Sequence, residues 1–182
     1  MDIKKEIEKV FLYSSDNNEL FDAFAEAIKH NFESIDIYKA LIANHALSVD
    51  EIKMYTEKLI STYPRFSYDL FMWTANIFEN LQREQERLEE SFFYYSRALD
   101  SKPGIFIPYL NLLKLYNYDF ETPFNQDIIN KVISNVGYVH SKSKVYFGLA
   151  NHFKKLNDAQ MEAKYLSLGL KAAEEERRKK LE

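Results

Sequence analysis

Apolar residues recur at three- and four-residue spacing along almost the whole chain, as in Ile3, Ile7, Val10, Phe11 and again in Leu20, Phe21, Phe24, Ala27, Ile28. That spacing gathers them on one face of a 3.6-residue helix. No window sustains the period-two alternation of a half-buried strand, so the pattern predicts an all-α protein. Breakers are scarce, with four glycines and four prolines in 182 residues, which favours long helices over many tight turns. Ser48-Val49-Asp50-Glu51 has the form of a capping box, in which Ser48 and Glu51 each satisfy the other's backbone amide. Pro108 suits a first helical turn, where its missing amide costs nothing. Pro64 and Pro103 each follow a helical run and end it. Asp16-Asn17-Asn18, residues 118–123 and residues 140–143 read as connectors. About nine helices result, with the stretch 68–100 divided near residues 83–86. Leu181 and Glu182 read as the remnant of a cloning tag.

A repeat underlies the helices. Tyr55, Leu59, Ile60 and Pro64 recur as Tyr94, Ala98, Leu99 and Pro103, each displaced by 39 residues. Three segments share a further pattern: Phe71, Thr74, Ala75, Phe78; Tyr109, Leu112, Leu113, Tyr116; and Tyr146, Leu149, Ala150, Phe153, the last followed by the turn residue Asn157. Ser91, Tyr95, Ala98 and Pro103 form a companion pattern, with a weaker copy at Leu166, Gly169 and Leu170. These residues resemble the two helices of the tetratricopeptide repeat, in which a bulky aromatic fills the space between helices and small residues allow close approach. The resemblance covers roughly residues 68–180. It implies antiparallel helix pairs stacked as a short α-solenoid with a right-handed superhelix. Residues 1–64 would form N-terminal helices, as a diverged repeat or a cap, and residues 65–180 the repeats with a C-terminal capping helix. The segment from Ala75 to Ala98 is four residues longer than the family spacing, about one helical turn. Trp73 and Glu79 also fit the related half-repeat family of RNA-processing proteins.

Composition then narrows the chemistry. The chain has no cysteine, which excludes disulfides, thiolate catalysis and sulfur-ligated zinc. Net charge is -4, whereas a protein that tracks phosphates usually carries a basic excess, so no nucleic-acid partner is expected. No apolar run approaches the ~18 residues of a membrane span, and a cytoplasmic location is the simplest expectation. The four glycines are isolated, so there is no phosphate-cradling loop. His30, His45, His140 and His152 lie more than five residues apart and match no metal motif. Carboxylates such as Glu86, Glu89 and Glu90 read as a solvated helix face. The run Phe92, Phe93, Tyr94, Tyr95 reads as interhelix core rather than a base-stacking platform. No catalytic residue, metal or cofactor is expected.

The resemblance nominates a surface. First helices of the family line a concave groove that holds a peptide or partner helix. Alignment puts Met72, Leu110 and Phe147 on that face, and Asn76, Lys114 and Asn151 one turn later, with Trp73 and Asn111 beside them. Asparagine carries both donor and acceptor, so it can pair with an extended backbone without reading side chains. Met72 and Phe147 stand where the family's carboxylate-clamp members need a lysine, so a chaperone-tail clamp is not expected. Residues 172–180 offer i,i+4 pairs of Glu174 with Arg178, Glu175 with Lys179 and Glu176 with Lys180, read as a solvated helix capping the array. The sequence therefore favours a non-catalytic interaction scaffold or adaptor for a protein or peptide. The alternatives are a structural subunit of a homo-oligomer or larger complex and an RNA-processing half-repeat protein.

Overall fold

A computed structural model describes residues 2–80, 85–118 and 123–181. Among the described residues there are ten α-helices and no strand, so the fold is all-α. The helices are α1 (Ile3–Tyr13), α2 (Asn17–Lys29), α3 (Ile35–Ile42), α4 (Val49–Thr62), α5 (Ser67–Asn80), α6 (Gln85–Ser101), α7 (Ile107–Lys114), α8 (Pro123–Asn135), α9 (Lys142–Lys155) and α10 (Ala159–Lys179). Short 3-10 turns at Pro64–Phe66 and Val136–Tyr138 follow α4 and α8.

Local signals set most boundaries. Ser48 and Glu51 close the capping box at the start of α4, worth about 1 kcal/mol. Pro108 lies in the first turn of α7, and Pro64 and Pro103 fall just past α4 and α6. Asn31 and Asn157 take left-handed backbone, φ 51° and 57°. The amide after each reaches back five residues, Phe32 to the carbonyl of Ala27 (3.1 Å) and Asp158 to that of Phe153 (3.0 Å). That is the hydrogen-bond pattern by which a helix stops on an αL residue.

Two connectors are shorter than the pattern predicts. Asp16 accepts the amide of Asn18 at 2.8 Å, so Asn17 and Asn18 form the first turn of α2 rather than a loop. Ser143 likewise lies inside α9. Of the break expected at residues 83–86, residues 83 and 84 lie outside the described residues, as do 81 and 82; α5 is described to Asn80 and α6 from Gln85. Residues 119–122 of the next connector also lie outside the described residues.

The helices pack in a regular order. α1 lies on α2, α3 on α4, α5 on α6, α7 on α8 and α9 on α10; α1 also meets α3, α3 meets α5, and α7 meets α9. Even-numbered neighbours are tied by ion pairs: Lys53 with Glu90 and Arg97 with Glu57 join α4 to α6, and Lys131 with Asp100 (2.7 Å) joins α6 to α8. The core runs the length of the chain and is rich in aromatic residues. Phe11, Tyr38, Phe78, Tyr94, Tyr95 and Tyr109 are wholly buried within it. Of the aromatic run, Tyr94 and Tyr95 are core as expected, whereas Phe93 is exposed. Buried polar groups are mostly paired. Asn44 donates to the carbonyls of Phe11 (2.9 Å) and Ser14 (3.0 Å) and accepts from the amide of Ala46 (2.8 Å), pinning the end of α1 to the α3–α4 loop. Each of those backbone groups would otherwise be left short of a partner.

The last helix departs from a fully solvated cap. Glu174 does pair with Arg178 at 2.7 Å. Glu176, however, turns inward and accepts the amide (3.0 Å) and hydroxyl (2.7 Å) of Ser143 at the start of α9, where a carboxylate meets unpaired amides and the positive end of the helix dipole. Leu166 and Leu170 lie exposed along α10, so its outer face is partly apolar.

Candidate functional site

The site begins at Tyr95 of α6. Its ring is buried, and its hydroxyl donates to Glu79 Oε2 of α5 at 2.6 Å. Asn76 of α5 and Asn111 of α7 also act on this phenol. Burial first, then the Glu79 carboxylate, holds this phenol well above the usual tyrosine range, while the two asparagines pull the other way. Tyr95 therefore stays protonated, and its hydroxyl ties α6 to α5 through Glu79. Lys114 Nζ, one turn along α7, donates to Asn111 Oδ1 at 3.2 Å.

Lys114 also borders a second feature, a cleft of about 150 Å³ between α7 and α9. Leu110, Lys114, Tyr118, Asn151, His152 and Lys155 are among its walls. Gly148 lets the two helices approach: a Cβ there would stand 2.7 Å from Leu110 Cδ2. Tyr118 Oη and His152 Nδ1 lie 2.9 Å apart. His152 is buried, and burial, with the Lys155 charge adding to it, pushes the imidazole down to about 4. Its ring is thus neutral near pH 7, with one nitrogen on Tyr118. The other, Nε2, is buried without a partner. Burial also raises the Tyr118 phenol. Positive charge in the cleft comes from Lys114 and Lys155, the latter 4.9 Å from the Tyr118 ring centre. Tyr118 and His152 are both neutral near pH 7, so the charge of the cleft comes from its two lysines.

Of the nominated residues, Leu110, Asn111, Lys114 and Asn151 lie together along α7 and α9, and Asn76 is exposed on α5. The other three have these surroundings. Met72 is half-buried against the core. Trp73 is half-buried and its indole donates to the carbonyl of Lys39 on α3 at 3.0 Å, with Lys39 Nζ 5.7 Å from the ring. Phe147 is exposed, its ring laid over Gly169 of α10. Trp73 and Glu79, the two residues behind the half-repeat alternative, both spend polar groups on internal partners. Tyr95, Tyr118 and His152 were not nominated. Tyr95 matched a core pattern, and a lone histidine carries no sequence mark of which groups will surround it.

A larger cleft of about 460 Å³ lies where α10 passes the start of α9, lined by Tyr138, His140, Lys142, Glu175, Glu176 and Lys179 among others. Its Glu176 carboxylate is committed to Ser143. Among the described residues no three histidine or acidic side chains are placed to hold a metal ion, and no helix is long and apolar enough to cross a membrane. Comparison of the chain with family models, curated proteins and solved structures yields no match.

Proposed function

We propose that the chain is a non-catalytic interaction scaffold, a short tetratricopeptide-like solenoid that holds a peptide or partner segment along α5, α7 and α9. The observation that carries this reading is a set of polar side chains, Asn76, Asn111, Lys114 and Asn151, of which Lys114 bonds Asn111 and shares a cleft with Asn151. The set comes from three successive odd-numbered helices and is flanked by Leu110. Asn76, Lys114 and Asn151 are exposed, so their remaining donors and acceptors face solvent. Such groups, spaced along a surface, suit the backbone of an extended segment. The packing of α7 on α9 supports the same reading, because it brings Lys114 and Asn151 to one cleft.

The test is affinity capture from lysate with the wild-type chain and with Asn76→Ala/Asn151→Ala, after circular dichroism shows equal helicity. Both side chains are exposed, so the fold is expected to survive. A protein held by the wild type and lost by the variant is the expected result. Equal retention of every captured protein would remove the groove from the account.

A further inference from the structure

We infer that copies of this chain associate head to tail, the α1–α2 end of one molecule docking on the α9–α10 end of the next. The inference does not depend on the groove and uses other faces of the molecule.

The observation behind it is an internal repeat whose two copies have different surroundings. Leu166, Gly169 and Leu170 of α10 stand where α6 has Tyr95, Ala98 and Leu99, each displaced by 71 residues. In α6 all three are fully buried, because α7 and α8 pack on that helix. In α10 Leu166 is 44% and Leu170 60% exposed. The Phe147 ring covers Gly169 between them and is itself exposed, so the three apolar groups are contiguous. The surface that receives the next helix within the fold is therefore open at this end, and contiguous exposed apolar groups mark association surfaces.

The opposite end also exposes large apolar side chains. Tyr13 is 72% and Phe21 54% exposed, with Leu12 also exposed beside the α1–α2 turn. Charge selects the pairing. Residues 2–31 hold seven Asp and Glu against four Lys, whereas residues 142–181 hold ten Lys and Arg against five Asp and Glu. The acidic end thus attracts the basic end, and two like ends repel. An interface between unlike patches is heterologous, so it leaves one free end at each terminus of the assembly and extends with concentration unless it closes into a ring.

Light scattering across a concentration series tests this at low salt. A tail variant, Leu166→Asp/Leu170→Asp, and a head variant, Tyr13→Asp/Phe21→Asp, change only exposed side chains. The wild-type mass is expected to rise above the 21.6 kDa of one chain as concentration increases. Each variant alone is expected to stay monomeric. Their equimolar mixture should reach twice the chain mass and stop, because it contains one intact head and one intact tail per pair. Asp22→Lys, also exposed, is a milder variant that should weaken association at low salt and have no effect at ~1 M salt, where the Debye length is ~3 Å. A wild-type chain that stays monomeric throughout would overturn the inference. So would either variant associating like the wild type, or a mixture that remains monomeric.

Discussion

The α5–α6 and α9–α10 pairs are built on one pattern and end in different environments. In the first pair Tyr95, Ala98 and Leu99 are sealed beneath α7 and α8. In the second, Leu166 and Leu170 meet solvent. The first helices differ as well. α5 buries Thr74, whose hydroxyl is 2.9 Å from that of Thr56 on α4, whereas α9 buries His152 with Nε2 unpartnered. Both pairs leave buried polar atoms without a partner, Tyr94 Oη and Ser96 Oγ in α6 and His152 Nε2 in α9, so the difference lies in the apolar repeat positions, covered in α6 and open in α10. A repeat pattern thus specifies which residues face the next helix, and the neighbours decide whether that face is core or surface.

The largest contrast compares the same residue type at equivalent positions. Leu99→Ala should cost about 2–5 kcal/mol, the transfer and cavity terms of a fully buried leucine. Leu170→Ala, measured on dilute monomer, should cost less than about 0.5 kcal/mol. Denaturant titration of both variants checks this, and similar losses would erase the distinction between the two ends.

A second prediction concerns α9 and pH. The imidazole of His152 titrates near 6.5 when unfolded and at about 4 in the fold. Between those values the unfolded chain binds a proton that the folded chain refuses. Stability is therefore complete above pH 6.5, falls as pH drops toward 4, and loses no more once both states are protonated. The full loss is roughly 3 kcal/mol. Unfolding midpoints across this range should flatten in His152→Phe, and an unchanged slope would contradict the buried neutral ring.

The smallest of these effects lies in α5. Thr74→Val should cost about 1–3 kcal/mol by stranding the Thr56 hydroxyl, while Thr56→Val/Thr74→Val should recover most of it. Thermal melts of both single variants and the double variant measure the coupling; additive losses would mean the two hydroxyls do not depend on each other.

Much of the helical layout was legible because it rests on local chemistry: the Ser48–Glu51 box, the three proline positions and the turn at Asn157 all act within a few residues. The aromatic and small positions of α5, α7 and α9 were legible through their spacing. Connector lengths were harder to read, since Asn17 and Asn18 look like loop residues until Asp16 caps them. The site was legible only in part. The family resemblance nominated Asn76, Asn111, Lys114 and Asn151 on three helices, but it gave no sign of Tyr95, whose pattern reads as core and whose hydroxyl bonds Glu79. Trp73 turned toward α3 because the Lys39 carbonyl was there to accept its indole, a contact across 34 residues. Glu176 likewise found Ser143 rather than Lys180. Partners supplied by distant segments leave no periodic trace in a single sequence.

The most direct test of the groove is a photo-crosslinking residue placed at Lys114, on the α7–α9 cleft, with a control at the exposed Gln126 of α8. Illumination of lysate containing each chain, followed by mass spectrometry, locates what lies against each face. A discrete protein adduct at position 114, absent at 126 and lost from the Asn76→Ala/Asn151→Ala background, is the predicted result. No adduct at 114, or the same adducts at both positions, would contradict a partner seated along α5, α7 and α9.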